Sequence, residues 1–340
     1  MRLLLACLLA CIAPLSLHAQ SLQQSNDLAL PVAPADGVLE LDTMVVTGMQ
    51  PGPGMWKVSK GDHTLWILGT LSPLPNNITW LSRDVAAVLD QSQQVLGAPG
   101  LRVGGNIGVF KGLTLLPSAM KTMKNPDDAK LQEILPADLY ARWLVQKEKY
   151  LGRDNGIEKK RPIVAANELY MKAIRKSGIG SKPVVSPVIE AALKRRKLKL
   201  TSTQLELPLT DPRQALKEMR ASQLDDIDCF RKTLSRVEND LPLMVERANA
   251  WSIGDLEALR ALPFEDQQGA CLNALVQTSF AQKRGLVDIQ QQVEAKWLAT
   301  AEAALQKNQV TFATLPISLL LKPDGYLAKL RAKGYVVEEP

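Results

Sequence analysis

The residue types needed for nucleophilic and acid–base chemistry lie around one apolar stretch, LWILGTLSPLP at 65–75. Ser72 is near its end, and Asp62 and His63 precede it, so all three members of a Ser-His-Asp triad are present. His63 and Ser72 are nine residues apart, however, which is about 30 Å along an extended strand. The sequence around Ser72 also lacks the Gly-x-Ser-x-Gly pattern of a nucleophile elbow. We therefore do not expect a triad and predict no catalytic residue.

Metal-ligating side chains are scarce. The sequence has two histidines and four cysteines. His18 and two of the cysteines lie in a predicted export signal, so the mature chain would keep His63, Cys229 and Cys271. Two thiolates without accompanying histidines are too few for a structural zinc site. In an oxidising compartment the cysteines favour one disulfide, with a free or catalytic thiol as the alternative. We expect no bound metal and no cofactor.

Two charge clusters could bind ions. Asp225, Asp226 and Asp228 could hold a cation, although a solvated helix face explains them as well. The basic run KRRKLKL at 194–200 could attract phosphate or lipid headgroups, and it too is typical of a solvated surface. The mature chain would carry 40 basic and 35 acidic residues, a net charge of +5, with few aromatic residues. We therefore expect no nucleic-acid partner.

The first nineteen residues have the pattern of a signal peptide. A single Arg2 precedes an apolar run at 3–13, and Ala19 suits signal-peptidase cleavage. The run is shorter than the roughly 20 residues that a membrane span needs, so we do not expect a membrane-spanning protein. A lipoprotein signal with lipid on Cys11 is the alternative. The predicted location is periplasmic or secreted.

Residues 20–54 are rich in Gln, Ser, Pro, Gly and Asp, which predicts a flexible linker. Within it, LDTMVVTG from Leu41 to Gly48 has the β-branched content of a strand. This segment resembles a TonB box, which would bind a partner by adding a strand to the edge of a sheet. An ordinary extended lead-in to the domain is the alternative.

From residue 55 onwards the patterns predict a single α/β domain at 55–340. MWKVSKGDHTLWILGT is a hairpin by pattern, followed by a helix within 79–91 and a short strand in QQVLGA. A buried strand is predicted at Val184 and Val185. At the end of the chain, QVTFATLPI and YVVEE are predicted strands on either side of the helix GYLAKLRAK. This order favours a central mixed β-sheet that begins with the N-terminal hairpin.

The middle of the chain, about 127–307, is mostly helical by periodicity. Its later part predicts helices at 212–237, 241–251, 255–262 and 288–307, with Asp255 as an N-cap. Both mature cysteines fall in this block. We expect a large helical cap region held together by the disulfide.

Three separated segments resemble the TraB/GumN family, which is related to the Tiki metalloproteases. They are the hairpin MWKVSKGDHTLWILGTLSPLP with the following TWLS, the segment RANAWSIGDLEAL, and the tail PDGYLAKLRAKGYVVEE. The resemblance implies an α/β fold with a metal-dependent hydrolytic site at the strand ends. Its signatures are two Gly-x-x-His motifs and glutamates at the ends of strands, which together would hold a divalent ion and activate water.

The sequence departs from the family pattern at every position that can be placed. The first Gly-x-x-His reads Gly69-Thr70-Leu71-Ser72, so a serine replaces the histidine. Gly97 and Val188 stand where glutamates are expected. At the second motif, Ser318 or Leu319 occupies the histidine position. We therefore interpret Gly69, Ser72, Gly97, Val188 and Ser318 as positions of a degenerate pocket.

Two functional hypotheses remain. The first is an exported family member that has lost hydrolase chemistry and acts as a binding or accessory factor for an unknown protein or small-molecule ligand. The second is a divergent peptidase- or esterase-like hydrolase whose groups come from elsewhere, such as Ser72, Ser186 or Ser318 with nearby carboxylates.

Overall fold

The structure, a computed structural model, describes residues 48–104, 109–180, 183–208, 211–264 and 267–340. The predicted signal peptide, residues 20–47 of the predicted linker and residues 41–47 of the TonB-box-like segment lie outside these ranges. The described chain has the predicted α/β fold, with a central mixed sheet and many helices.

The strands of the described residues range from two-residue pairings to the eight-residue second arm of the hairpin. They are β1 Met49–Gln50, β2 Met55–Lys60, β3 His63–Thr70, β4 Leu74–Pro75, β5 Thr79–Trp80, β6 Gln94–Leu96, β7 Gly100–Val103, β8 Ile179–Gly180, β9 Leu200–Thr201, β10 Gln204–Leu207, β11 Val310–Pro316 and β12 Val336–Glu338. Here β1, which lies inside the predicted linker, pairs in parallel with β5.

Helices make up most of the described chain between β5 and β12. They are α1 Arg83–Gln91, α2 Val109–Thr122, α3 Leu131–Ile134, α4 Ala137–Tyr150, α5 Pro162–Lys176, α6 Ser186–Arg196, α7 Pro212–Ala221, α8 Ile227–Ser235, α9 Leu241–Ile253, α10 Leu256–Ala261, α11 Gln267–Val276, α12 Ser279–Gln282, α13 Ile289–Lys307, α14 Ile317–Leu320 and α15 Tyr326–Ala332. A π-helical turn, Arg236–Asp240, joins α8 to α9. In the described residues, no helix has the length and apolar content that crossing a membrane would require.

The central sheet has six strands in the order β12-β2-β3-β11-β6-β9. β3, β11, β6 and β9 run parallel to one another, and β2 runs antiparallel to both of its neighbours. Parallel strands place their carboxyl ends at one edge of the sheet. Thr70, Pro316, Leu96 and Thr201 therefore end their strands on the same side, which is where open α/β sheets bind ligands.

The hairpin begins the sheet as predicted. β2 and β3 pair from Met55 with Leu68 to Lys60 with His63, and Gly61 in the turn has φ +62°, a conformation that suits glycine. β11 then inserts beside β3 although some 240 residues separate them in the chain. A local hydrophobic pattern cannot predict that neighbour.

Two main hydrophobic cores lie in the described chain. One surrounds the sheet, and the other packs α4, α5, α8 and the start of α9 around the buried Trp143 and Phe230. Helix α9 belongs to both, since Met244 and Val245 lie in the helical core and Trp251 lies in the sheet core. The predicted helical region is thus anchored to the sheet through α9.

Two local predictions were wrong. Val184 and Val185 form no strand, because Val185 already has helical dihedrals (φ −90°, ψ −42°) and Pro187 favours the first turn of α6. The predicted helix at 212–237 ends at Ala221 and resumes at Ile227. Ser222 turns to an extended conformation while its hydroxyl donates to the Glu218 carbonyl, a local bond that competes with helix.

The described residues of the region 127–307 are mainly helical but include three short strands. β9 joins the edge of the central sheet beside β6, while β10 pairs with β7 and β8 pairs with β4. The helical region is therefore tied to the sheet by backbone pairing as well as by packing. Asp255 is the N-cap of α10 as predicted, since its carboxylate accepts from the Ala258 amide at 2.9 Å.

Candidate functional site

Strand pairing brings two of the predicted pocket positions to the same edge of the sheet. Pro316 pairs with Thr70 at the ends of β11 and β3. Ser318 and Ser72 each follow two residues beyond these paired positions. Both side chains line one cavity next to the strand ends, so the structure brings together residues that are 246 positions apart in the sequence.

This larger strand-end cavity has a volume of about 980 Å³. Its apolar lining comes mainly from the chain after β3, from α9 and α10, and from the segment 317–327. The apolar residues that line it include Leu71, Met244, Leu259, Leu262, Phe264, Ile317, Leu319, Leu320, Leu321 and Leu327. A cavity of this size is at the upper end of the range that small-molecule sites occupy.

A smaller cavity of about 310 Å³ shares Thr70, Leu71 and Ser72 with the larger one. Its other lining residues come from the strand ends and from the start of α6. They are Leu74, Ala98, Pro183, Val184, Val185, Ser186, Ile189 and Thr314. Ser72 and Ser186 therefore face one cavity, while Ser72 and Ser318 face the other.

Gly69 lies buried behind the larger cavity, outside its lining. Its carbonyl accepts a hydrogen bond from the Trp251 indole Nε1 at 2.8 Å, which fixes the end of β3 to α9. A Cβ at this position would lie 2.8 Å from Ile317 Cδ1 and 3.0 Å from the Trp56 ring. Close packing therefore accounts for glycine here.

Gly97 has a similar place after β6. Its carbonyl accepts from the Trp297 indole Nε1 at 3.1 Å and from the Thr203 hydroxyl at 2.9 Å. Val188 lies in the first turn of α6 and packs against the sheet core, outside the lining of both cavities. The interpretation of these positions as former ligand positions stays a prediction.

His63 lies far from the strand-end cavities. It begins β3, whereas Ser72 follows the other end of this eight-residue strand. The His63 ring Nδ1 is 2.8 Å from the Asn308 carbonyl oxygen, and Nε2 is 3.6 Å from a carboxylate oxygen of Asp62. The contact with Asn308 ties the hairpin turn to the end of α13, and His63, the one histidine among the described residues, therefore lies at the far end of β3 from Ser72.

Cys229 and Cys271 form the expected disulfide. Cys229 on α8 and Cys271 on α11 have their sulfurs at bonding distance. Cys229 is fully buried beside the helical core, and the Thr233 hydroxyl donates to its carbonyl. The bond therefore staples α11 onto the helical region.

The acidic cluster 225–228 is not uniformly solvated. Asp226 is 3% exposed, and its carboxylate accepts a hydrogen bond from the Ile163 amide at 2.8 Å. Burial raises the pKa of Asp226, although the Ile163 bond and the charge of Arg161 oppose that shift. Asp228 instead lies on the surface near Lys232, at 3.5 Å. The solvated-face interpretation was therefore wrong for Asp226.

The donor set does not fit the metal that the family resemblance implies. Across the described ranges, no group of three or more His, Cys, Asp or Glu side chains is placed to hold a metal ion. Among the described residues that line the two strand-end cavities there is no histidine, and Glu339 is the one carboxylate. Divalent hydrolytic metals require those nitrogen and oxygen ligands. No catalytic step through a metal follows from this site.

Sequence reasoning missed the charged part of the larger cavity. Among its described lining residues are five cationic side chains and one carboxylate: Arg236, Arg247, Arg260, Lys322, Arg331 and Glu339. They are spread over about a hundred positions and form no run in the sequence. No local sequence pattern indicates that they would meet.

The most buried of these cations is Arg247 on α9. Its side chain is 3% exposed, donates to Asp240 at 2.5 Å and to the Pro263 carbonyl at 2.6 Å, and lies 5.1 Å from the Phe264 ring centre. Arg236 donates to the other oxygen of Asp240 at 3.1 Å. The carboxylate thus holds both guanidinium groups at the cavity wall.

The fold and the cavities define an α/β protein with a ligand-sized, cation-rich site at the carboxyl ends of its parallel strands. The model of the TraB/PrgY/gumN family matches residues 54–339, so the chain belongs to this family. Neither a curated relative nor a solved structure matches the chain. The predicted family membership is confirmed.

Proposed function

We propose that this protein is an exported, catalytically silenced member of the TraB/PrgY/gumN family that acts as a binding or accessory factor through its larger strand-end cavity. One observation carries the proposal. The edge of the sheet where the resemblance expects a hydrolytic site keeps a cavity of about 980 Å³, but it presents Ser72 and Ser318 where histidines are expected. A cavity without a hydrolytic donor set supports binding.

The alternative, a divergent serine hydrolase, needs a base beside one of the strand-end serines. Glu339 is the one carboxylate among the described residues that line the larger cavity, and it already contacts Arg260 and Arg331. Among the described residues, the contacts of this carboxylate are with these two guanidinium groups, and no hydrogen bond joins it to Ser72 or Ser318. The contact pattern therefore favours binding over hydrolysis.

The test combines metal analysis with hydrolysis assays on the purified protein. Metal content and calorimetric titration with manganese, cobalt and zinc should give no stoichiometric ion. Peptides and esters should not be cleaved with or without these metals. One ion per chain, or hydrolysis that a chelator abolishes, would overturn the silenced site.

Serine variants distinguish the divergent hydrolase from the silenced protein. If hydrolysis persists with a chelator present and is lost on Ser72→Ala, Ser186→Ala or Ser318→Ala, the divergent-hydrolase hypothesis is correct. Export is tested independently by cell fractionation and by the N-terminal sequence of the mature protein. Export predicts a periplasmic or secreted protein that begins at Gln20, whereas lipid attached at Cys11 would favour the lipoprotein alternative.

A further inference from the structure

The larger strand-end cavity combines an apolar lining with an excess of positive charge. Leucine, methionine, phenylalanine and isoleucine side chains make up much of its wall, and five cationic side chains face one carboxylate among its described residues. An apolar wall favours a ligand with a hydrocarbon body. A local excess of positive charge favours a ligand with a negative group.

The positive charge is only partly compensated at Glu339. This carboxylate contacts Arg260 at 2.5 Å through one oxygen and Arg331 at 3.9 Å through the other. One negative charge is thus shared between two guanidinium groups, both of which are nearly half exposed. Their remaining N–H groups can donate hydrogen bonds to a further anion from the solvent side.

Lys322 adds a charge without compensation. It follows α14, lines the cavity and is exposed to solvent. No carboxylate among the described residues lies within ion-pair distance of its ammonium group, in contrast to Lys329 and Lys333 further along the chain, which pair with Glu294 and Glu302. An anionic ligand can therefore bind Lys322 without breaking an ion pair to a described carboxylate.

We propose that the larger strand-end cavity binds an anionic amphiphile, a ligand with a phosphate or carboxylate head on a hydrocarbon chain. Lys322, Arg331 and Arg260 bind the head, and the apolar wall receives the chain. Arg236 and Arg247 share the single carboxylate of Asp240, so these three groups together keep one net positive charge that adds to the attraction. This inference rests on the proposed function, because it names the ligand class of the same cavity.

The experiment is calorimetric titration of the purified full chain with three probes. Decyl phosphate, used below its critical micelle concentration, has an anionic head and a hydrocarbon chain. Inorganic phosphate has the anionic head without the chain, and decyl maltoside has the chain with an uncharged head. Decyl phosphate should bind at least about tenfold more tightly than either of the others. Its affinity should also fall as salt rises, because salt screens charge attraction.

Three substitutions test whether decyl phosphate binds in the larger strand-end cavity. Lys322→Gln and Arg331→Gln should each weaken decyl phosphate binding at least about fivefold, as expected for loss of a charged hydrogen bond. Lys199→Gln is the matched control, since Lys199 is an exposed lysine of the basic run 194–200 and lies outside the cavity. Its affinity should equal that of the unmodified protein. Circular dichroism checks that all three variants are folded.

Several results would overturn the proposal. Absence of decyl phosphate binding, equal binding of decyl maltoside, or equally tight binding of inorganic phosphate would each refute the ligand class. Unchanged affinity in Lys322→Gln and Arg331→Gln, or a loss confined to Lys199→Gln, would refute the site. Release of decanol from bound decyl phosphate would instead refute the silenced function while leaving the anion site in place, so the two failures are distinguishable.

Discussion

Removing the disulfide between Cys229 and Cys271 tests how the helical region is held together. The change is the double variant Cys229→Ala with Cys271→Ala, which avoids leaving one free thiol. The bond links α8, part of the buried helical core, to α11. Without it, α11 loses its covalent link to α8 and the unfolded chain gains freedom, so the free energy of unfolding should fall.

The magnitude follows from the loop that the bond closes. The two cysteines are 42 positions apart. A cross-link over such a loop removes about 13 cal/mol/K of entropy from the unfolded chain, or about 4 kcal/mol at 25 °C. Loss of the buried Cys229 sulfur from the core adds about 1 kcal/mol. The double variant should therefore lose about 4–5 kcal/mol of stability.

The assay is guanidinium unfolding followed by circular dichroism and by tryptophan fluorescence. Both probes must report one coincident transition, since only then does the midpoint give a free energy. Dithiothreitol should destabilise the unmodified protein by a similar amount and leave the double variant unchanged, which provides the control. A loss below about 1 kcal/mol, with an unchanged denaturant slope, would show that the staple does not constrain the unfolded chain as argued.

Three further predictions concern single side chains. Gly69→Ala should cost about 1–3 kcal/mol of unfolding free energy, because the new Cβ would lie 2.8 Å from a side-chain methyl of α14. Gly97→Ala is the control, since its Cβ would have its nearest neighbour at 3.6 Å, and it should cost clearly less in the same denaturant assay. Trp251→Phe removes the indole donor to the Gly69 carbonyl and should cost about 1–3 kcal/mol; an unchanged midpoint would refute the anchoring role. Burial raises the pKa of Asp226 above its ordinary value of 3.8, so the stability that its neutral form contributes is present below that value and is lost as pH rises through the folded pKa. Asp226→Asn should therefore gain melting temperature relative to the unmodified protein as pH rises from acid to neutral, and a constant difference between the two proteins across that range would contradict the burial argument.

The hairpin and the helix cap at Asp255 could be predicted because their signals are local. Alternating apolar residues around a Lys-Gly-Asp turn determine β2 and β3 within sixteen residues. Asp255 needs only the amide three residues later. The disulfide could be predicted from the number of cysteines, because the predicted mature chain has two and they pair in the structure.

Other features depended on partners that are distant in sequence. Val185 has no strand neighbour and instead begins α6, and Asp226 is buried by contact with α5 rather than solvated on its own helix. A hydrophobic or charged pattern reports which residues share a face, but not what packs against that face. Such errors are expected where tertiary contacts override local preference.

The sequence by itself determined the family and the single imidazole of the predicted mature chain, because these are matters of residue identity and order. Only the tertiary structure decided the character of the strand-end cavity. Through the pairing of β3 with β11 it brings Ser72 and Ser318 to one cavity, whose lining also includes Arg247, Lys322 and Arg331. The physical reason is that charges distant along the chain become neighbours only when the two cores pack and α9 joins them.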